Sequence, residues 1–364
     1  MEEFSKLIGV QDKVFHLERQ LQSVHCLGLV GMGGIGKSTL AKALSDHISK
    51  EFYATCFVMD LKDEICTFQI KYKSKGMQYS PPRAETLTNT RHTLEDLQKI
   101  KPILIVVDNV SKQSQLQQLL NDGMFKDVNG SRLIASSCDW NSLEKHVPMA
   151  GKVDIHTLNG NQPMELFSMH AFGTNQSCLP HLKHVIEKIV DACCGLPLSL
   201  KVMGTCMQGE KRLRIWERTL HRLLRARHDG VLDEKIWKTL RISFDELNDE
   251  EKNMFLDIAC FFCKDEYLDD VYPTKESYLR MLDDKDLEDA KKVLERLQEK
   301  SLLKVNDWDF FYVHDQLRDM GRMITENDFA GTRILNLSYL AFANHCKQKV
   351  CTLCFVKVDV PLVS

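Results

Sequence analysis

The chain of 364 residues is 43% hydrophobic and 27% charged, with 18 Gly, 9 Pro and a formal net charge of -3. These proportions exclude a collagen-like, mucin-like or wholly disordered chain, and at roughly 150 residues per domain they predict two or three folded domains. The near-neutral balance gives no overall attraction to nucleic acid or to an anionic membrane.

The N-terminal stretch MEEFSKLIGV carries acid where a secretory signal carries base, and no run reaches the roughly 18 apolar residues of a spanning helix. A cytoplasmic location is expected, with the nucleus as the other compartment that fits. Thirteen cysteines, odd in number and irregularly spaced, are expected to be mostly reduced and buried. Two Cys-x-x-Cys pairs, Cys260 with Cys263 and Cys351 with Cys354, have zinc-like spacing. The first lies in the buried-helix pattern FLDIACFF and nothing brings the second to it, so zinc is not expected. The adjacent Cys193 and Cys194 read as packing residues.

An apolar run, Leu27 to Val30, leads into GMGGIGKST and then into the amphipathic pattern LAKALSDHI. That is strand, loop and helix in the order a phosphate loop requires. Gly31, Met32, Gly33, Gly34, Ile35 and Gly36 form the loop, Lys37 and Ser38 complete the pattern, and Thr39 follows. Glycines let successive backbone N–H groups point at phosphate oxygens, and the next helix adds its positive end. Lys37 is expected to reach the β- and γ-phosphates and Ser38 to ligate Mg2+. The bland alternative is a glycine turn beside an exposed lysine, which leaves the later motifs unexplained.

Within the stretch from Asp60 to His92, to which no chemistry is assigned, KYKSKGMQYSPPRAE looks like a loop. Beyond it, Ile103 to Asp108 is an apolar strand ending in an acid, as a carboxylate in the magnesium shell requires. With Thr55 to Met59, Arg132 to Ser137 and Val153 to His156, the strands number about five and alternate with helices, giving an α/β core with a parallel sheet. GLPL sets Pro197 behind Gly195, so a helix breaks or starts there. Residues 211–228 hold seven Lys or Arg and one Glu, with Leu213, Trp216, Leu220 and Leu223 at helical spacing. The expectation is an amphipathic helix with a solvated basic face; nucleic acid is not the expected partner, because base-reading motifs are missing. Further on, His314 and Asp315 stand side by side after the strand-like FFYV.

These blocks fall in a fixed order: LIGVQDKVFHLERQL, GMGGIGKST, ILIVVDNV, GSRLIASSCDW, LNGNQPMELFSMHAFG, CCGLPLSLKVMG, LRISFDELNDEEKNMFLDIACFF and VHDQLRDMGR. Together they resemble the NB-ARC domain of plant NLR disease resistance proteins, especially the class with an N-terminal TIR domain, from about Leu7 to Asn327. The resemblance implies a P-loop NTPase core at 5–158, a helical subdomain at 159–230 and a winged-helix subdomain at 231–327. A divergent tail at 328–364 would hold at most the start of a leucine-rich repeat. The implied function is an ADP- or ATP-binding switch with Mg2+ in an intracellular immune receptor, resting with ADP and acting with other NLR chains or signalling proteins. The same resemblance places Val10, Leu196 and Pro197 in the nucleotide set, with the proline near adenine and ribose. It gives His314 to the β-phosphate and Asp315 to holding the winged-helix subdomain closed, while Asp108 joins Ser38 on the magnesium side.

The chain departs from that family at two points. Asn109 stands where a second acid usually follows, and an amide cannot take a proton from an attacking water. Ser136, Ser137 and Cys138 stand where Thr-Thr-Arg is usual, and that arginine senses the γ-phosphate. Losing a contact of about 1.5–3 kcal/mol weakens ATP relative to ADP by about ten- to a hundred-fold. The alternatives are an ATPase or kinase that turns over and a nucleic-acid-binding winged-helix module. With neither a TIR domain nor a coiled coil before Leu7 and only TRILNLSYL hinting at a repeat, a truncated receptor, a splice or gene-model product, or a switch module working with a partner is expected.

Overall fold

The computed structural model describes residues 7–59, 61, 64–73, 80–121, 125, 130–173, 180–228, 232–262, 274–280, 287–306 and 308–328. Two compact units divide at Thr239 and Leu240.

In the first unit α1 (Gln11–Val24) precedes β1 (Cys26–Val30), and the glycine loop joins β1 to α2 (Lys37–Ile48). There follow β2 (Ala54–Met59), β3 (Ile65–Tyr72), β4 (Arg83–Thr86), α3 (Leu87–Ile100), β5 (Ile103–Val110), α4 (Gln113–Leu119), β6 (Arg132–Ser137) and β7 (Lys152–Asp154). The strands form one sheet in the order β4-β3-β2-β5-β6-β1-β7. From β2 through β7 in that order all neighbours are parallel, whereas β3 pairs antiparallel with both β2 and β4. The parallel strands are near-continuous apolar runs because helices cover both faces of such a sheet. In β1 every residue is buried, and so are the first five of β5.

The sheet therefore has two strands beyond the roughly five expected, and the loop reading of KYKSKGMQYSPPRAE is corrected at both ends, where Lys71 and Tyr72 belong to β3 and Arg83 to Glu85 belong to β4. Cys66, Phe68 and Ile70 carry a period-two apolar pattern onto β2, with Phe68 fully buried. Lysines at the strand's end hide that pattern, and Gln69 is buried by donating Nε2–H to the Ser80 carbonyl at 2.8 Å.

Four helices continue this unit: α5 (Gln162–Phe172), α6 (Lys183–Ala192), α7 (Pro197–Cys206) and α8 (Leu213–His228). α5 packs on α7 and α6 on α8. Trp216 is fully buried beside the rings of Phe167 and Phe172, with centroids at 6.3 and 6.0 Å. Leu220 and Leu223 continue its face, but Leu213 is 39% exposed, so the apolar stripe of α8 starts a turn later than its spacing suggested.

After α9 (Leu232–Asp245), the second unit holds α10 (Asp249–Asp257), α11 (Lys275–Leu279), α12 (Leu287–Glu299), β8 (Lys304–Val305), β9 (Phe311–Tyr312) and α13 (Asp315–Asp328). Asn248 and Glu251 form a capping box at the start of α10, as the sequence NDEE allows. α10 packs on α12 and α13, while β8 and β9 pair antiparallel as a short wing. FLDIACFF is largely buried, ending in a wider π-type turn at Ile258–Phe262. At the end of α10, burial pushes the half-buried Asp257 carboxyl up to about 6.

Cys26, Cys56, Cys66 and Cys193 are buried, but Cys138 and Cys194 are exposed, and none of the six is in a disulfide. Cys194 does not pack as expected: its left-handed backbone, φ 53°, turns it away from the buried Cys193. Cys263, Cys351, Cys354 and the tail from residue 329 lie outside the described residues. Among the described residues, no helix is long and apolar enough to cross a membrane.

Candidate nucleotide site

The glycine loop leaves the end of β1, a parallel strand flanked by β6 and the edge strand β7, and strand ends in α/β sheets are where ligands are held. Gly36 caps α2 with φ 98°, a backbone only glycine adopts readily, and the position of an added Cβ there is open space. Lys37, the first residue of α2, is 7% exposed. Its ammonium turns back along the loop, donating to the carbonyls of Gly31 at 2.7 Å and Met32 at 3.0 Å. The third neighbour is the Cys138 sulfur at 3.3 Å, at the end of β6. A buried cation ringed by neutral acceptors, in a loop at a helix N-terminus, suits an anionic ligand.

On the same side Ser38 and Thr39 are exposed, and the Ser38 hydroxyl donates to Asp108 Oδ1 at 3.0 Å. The magnesium-side pair expected from sequence is thus brought together. Both supply hard oxygen atoms of the kind Mg2+ takes. Asp108 lies inside β5 rather than at its end, because the strand continues to Val110 through a bulge. Val107 pairs with Ala135 and Val110 with Ser137, so Asp108 and Asn109 together face Ser136. Ser136, fully buried, donates to Asp108 Oδ1 and accepts the Asn109 N–H at 2.9 Å. The reading of this segment as a failed Thr-Thr-Arg missed Ser136, because nothing local announces which residue faces a bulge.

Pro197 starts α7, as its position after Gly195 predicted. The next residue, Leu198, donates its N–H to the Gly34 carbonyl at 3.2 Å. A Cβ on Gly34, whose φ is 75°, would stand 2.9 Å from that of Leu198, so the loop needs glycine where α7 abuts it. Leu196 is buried as the cap of α7, and the Gly195 carbonyl accepts the Leu158 N–H at 2.9 Å. Val10 caps α1; beside it a Cβ on Gly9 would meet Leu158 and Gln162 at 3.0 Å. The glycine loop and GLPL are therefore in direct contact, and Leu158 links GLPL to the segment before α1. Leu158 and Leu198 were not singled out from sequence, since a leucine carries no chemical signature.

His314 and Asp315 belong to the second unit. His314 precedes α13 and caps it, its Nδ1 accepting the Gln316 N–H at 3.2 Å. The neutral ring then carries its proton on Nε2, a donor suited to a phosphate oxygen. Asp315 accepts from Arg318, one turn on, at 2.8 Å.

A glycine loop between an interior parallel strand and a helix, facing a strand carboxylate, defines a P-loop nucleotide-binding protein. Residues 9–177 match the model of the NB-ARC domain, and residues 248–328 that of the winged-helix domain of Roq1-like disease resistance proteins. Disease resistance protein RUN1 of Vitis rotundifolia is 31% identical over 336 residues, covering 88% of this chain and 23% of that protein. TMV resistance protein N of Nicotiana glutinosa is 28% identical over 317 residues, 85% of this chain and 26% of its own. Among solved structures, a Walker-type ATPase of Pyrococcus abyssi aligns at 13% identity and TM-score 0.42, over 87% of this chain and 97% of that one. The chain thus carries an NB-ARC domain and a Roq1-like winged-helix domain, and the relatives it matches over this region are TIR-class plant disease resistance proteins. It spans about a quarter of the length of the curated relatives it matches.

Proposed function

We propose that the chain is the ADP/ATP-binding switch of an intracellular plant immune receptor, with the ADP form favoured at rest. The observation that carries this reading is the buried Lys37 ammonium, held inside the glycine loop by two carbonyls and a thiol. Mg2+, when bound with nucleotide, neutralises phosphate charge. Lys37 would exchange its loop carbonyls for β- and γ-phosphate oxygens, while Ser38 and Asp108 would hold the cation. Val10, Leu196 and Pro197 would frame the adenosine. His314 would donate its Nε2–H as a hydrogen bond to the β-phosphate, and Asp315 would hold the winged-helix subdomain closed until ATP replaces ADP. The open form would engage other NLR chains or signalling proteins.

Two residues favour ADP and disfavour turnover. Cys138 contacts Lys37 from the place where the resemblance expects a γ-phosphate-sensing arginine, and a thiol brings no positive charge. Asn109 has φ 59° at the bulge and supplies no base for an attacking water. Hydrolysis is at most slow. The test is to purify the chain gently, denature it and identify the released nucleotide by chromatography, beside Lys37→Ala. Near-stoichiometric ADP that the variant lacks is the expected result; a well-folded protein that releases no nucleotide would refute the switch.

A further inference from the structure

We infer that Ser136 is a positioning residue for the magnesium-side carboxylate, orienting Asp108 through a hydroxyl that no motif assigns. This rests on the nucleotide reading above. A serine hydroxyl has one proton and two lone pairs. At Ser136 the Asn109 N–H occupies an acceptor site at 2.9 Å, and the single proton is directed to Asp108 Oδ1. The bulge makes this possible, since Asp108 and Asn109 both lie opposite that one residue. Among the described residues, the two hydroxyls that reach the carboxylate, from Ser38 and Ser136, both fall on Oδ1. Oδ2 is thereby left for the cation or its waters.

The two hydroxyls have different duties. Ser38 is exposed at the start of α2, and magnesium ligation would turn its oxygen away from Asp108. Ser136 is fully buried in β6 and has no such competing task, so it is the donor that persists when the cation arrives. Its bond to an ionised carboxylate is of the stronger, charge-assisted kind. Loss of such an outer partner characteristically weakens metal affinity by about ten- to a hundred-fold.

The experiment uses the full chain and a fluorescent ADP analogue, titrated with Mg2+ and, separately, in EDTA. Ser136→Ala is expected to need about ten- to a hundred-fold more Mg2+ to reach half of the magnesium-dependent tightening. Its affinity in EDTA should equal the parent's, which also reports a native loop, and Ser136→Thr should restore the parent's magnesium dependence. The inference is overturned if Ser136→Ala titrates like the parent, if it weakens binding equally in EDTA, or if Ser136→Thr behaves like Ser136→Ala. It is likewise overturned, alone, if the parent binds nucleotide without any response to Mg2+. A parent that binds no nucleotide in either condition overturns the switch reading as well.

Discussion

Lys37 in the first unit and Asp257 in the second are both charged groups drawn out of water, and their surroundings treat them oppositely. Lys37 is met by two carbonyls and a sulfur, so its charge is partly solvated by the protein. Asp257 is met by burial, which alone raises its carboxyl to about 6. A buried charge with acceptors arranged around it is a place for a ligand of opposite sign. One whose charged form is merely disfavoured is a local cost to folding, and a structure needs the first kind to do chemistry.

The largest expected effect comes from removing the first charge. Lys37→Ala should weaken ADP by about a hundred-fold or more, since more than one charge-assisted contact disappears, and calorimetry would show it. Comparable affinity in parent and variant would place the ligand elsewhere. Removing the second charge should act on stability instead. With the folded value near 6 and the unfolded value near 3.8, the protonated form is favoured in the folded state. The contribution of Asp257 to stability is therefore full below about pH 4 and lost as the pH rises through about 6. Asp257→Asn should remove that loss, gaining up to about 3 kcal/mol over the parent at pH 7 relative to pH 4 in urea unfolding. Equal pH profiles would contradict it.

A third change sharpens the contrast at the loop itself. Cys138→Arg should raise the ATP-to-ADP affinity ratio by about ten- to a hundred-fold, and an unchanged ratio would mean that this strand end does not face the γ-phosphate. The smallest effect is expected on the basic face of α8. Reversing Arg222 and Arg225 on α8 should change stability by no more than about 0.5 kcal/mol and leave nucleotide affinity alone. Salt-sensitive DNA binding abolished by that reversal would instead favour a nucleic-acid role.

The parts of the molecule legible in its sequence are those where one residue type meets one physical need. The glycines, Lys37 and Ser38 announce the loop by spacing, Pro197 announces the start of α7, and apolar runs announce the parallel strands. The antiparallel edge was not legible, because Thr67, Gln69 and Lys71 interrupt the apolar signal, and only the fold supplies the Ser80 carbonyl to Gln69 and the Asp46 carboxylate to Lys71. Ser136 was hidden for a related reason: its role comes from a register shift between β5 and β6, which exists only once the strands are paired. Cys194 was misjudged because its neighbour is buried, and one left-handed backbone residue is enough to separate the two.

The contact between Gly34 and Leu198 has a mechanical consequence. With the helix amide tied to the loop carbonyl and no room for an added carbon, loop and α7 form a stiff joint with little slack. Any rearrangement of the glycine loop must be felt at the first turn of α7, and a methyl group at residue 34 would wedge that joint open while leaving every charged group in place.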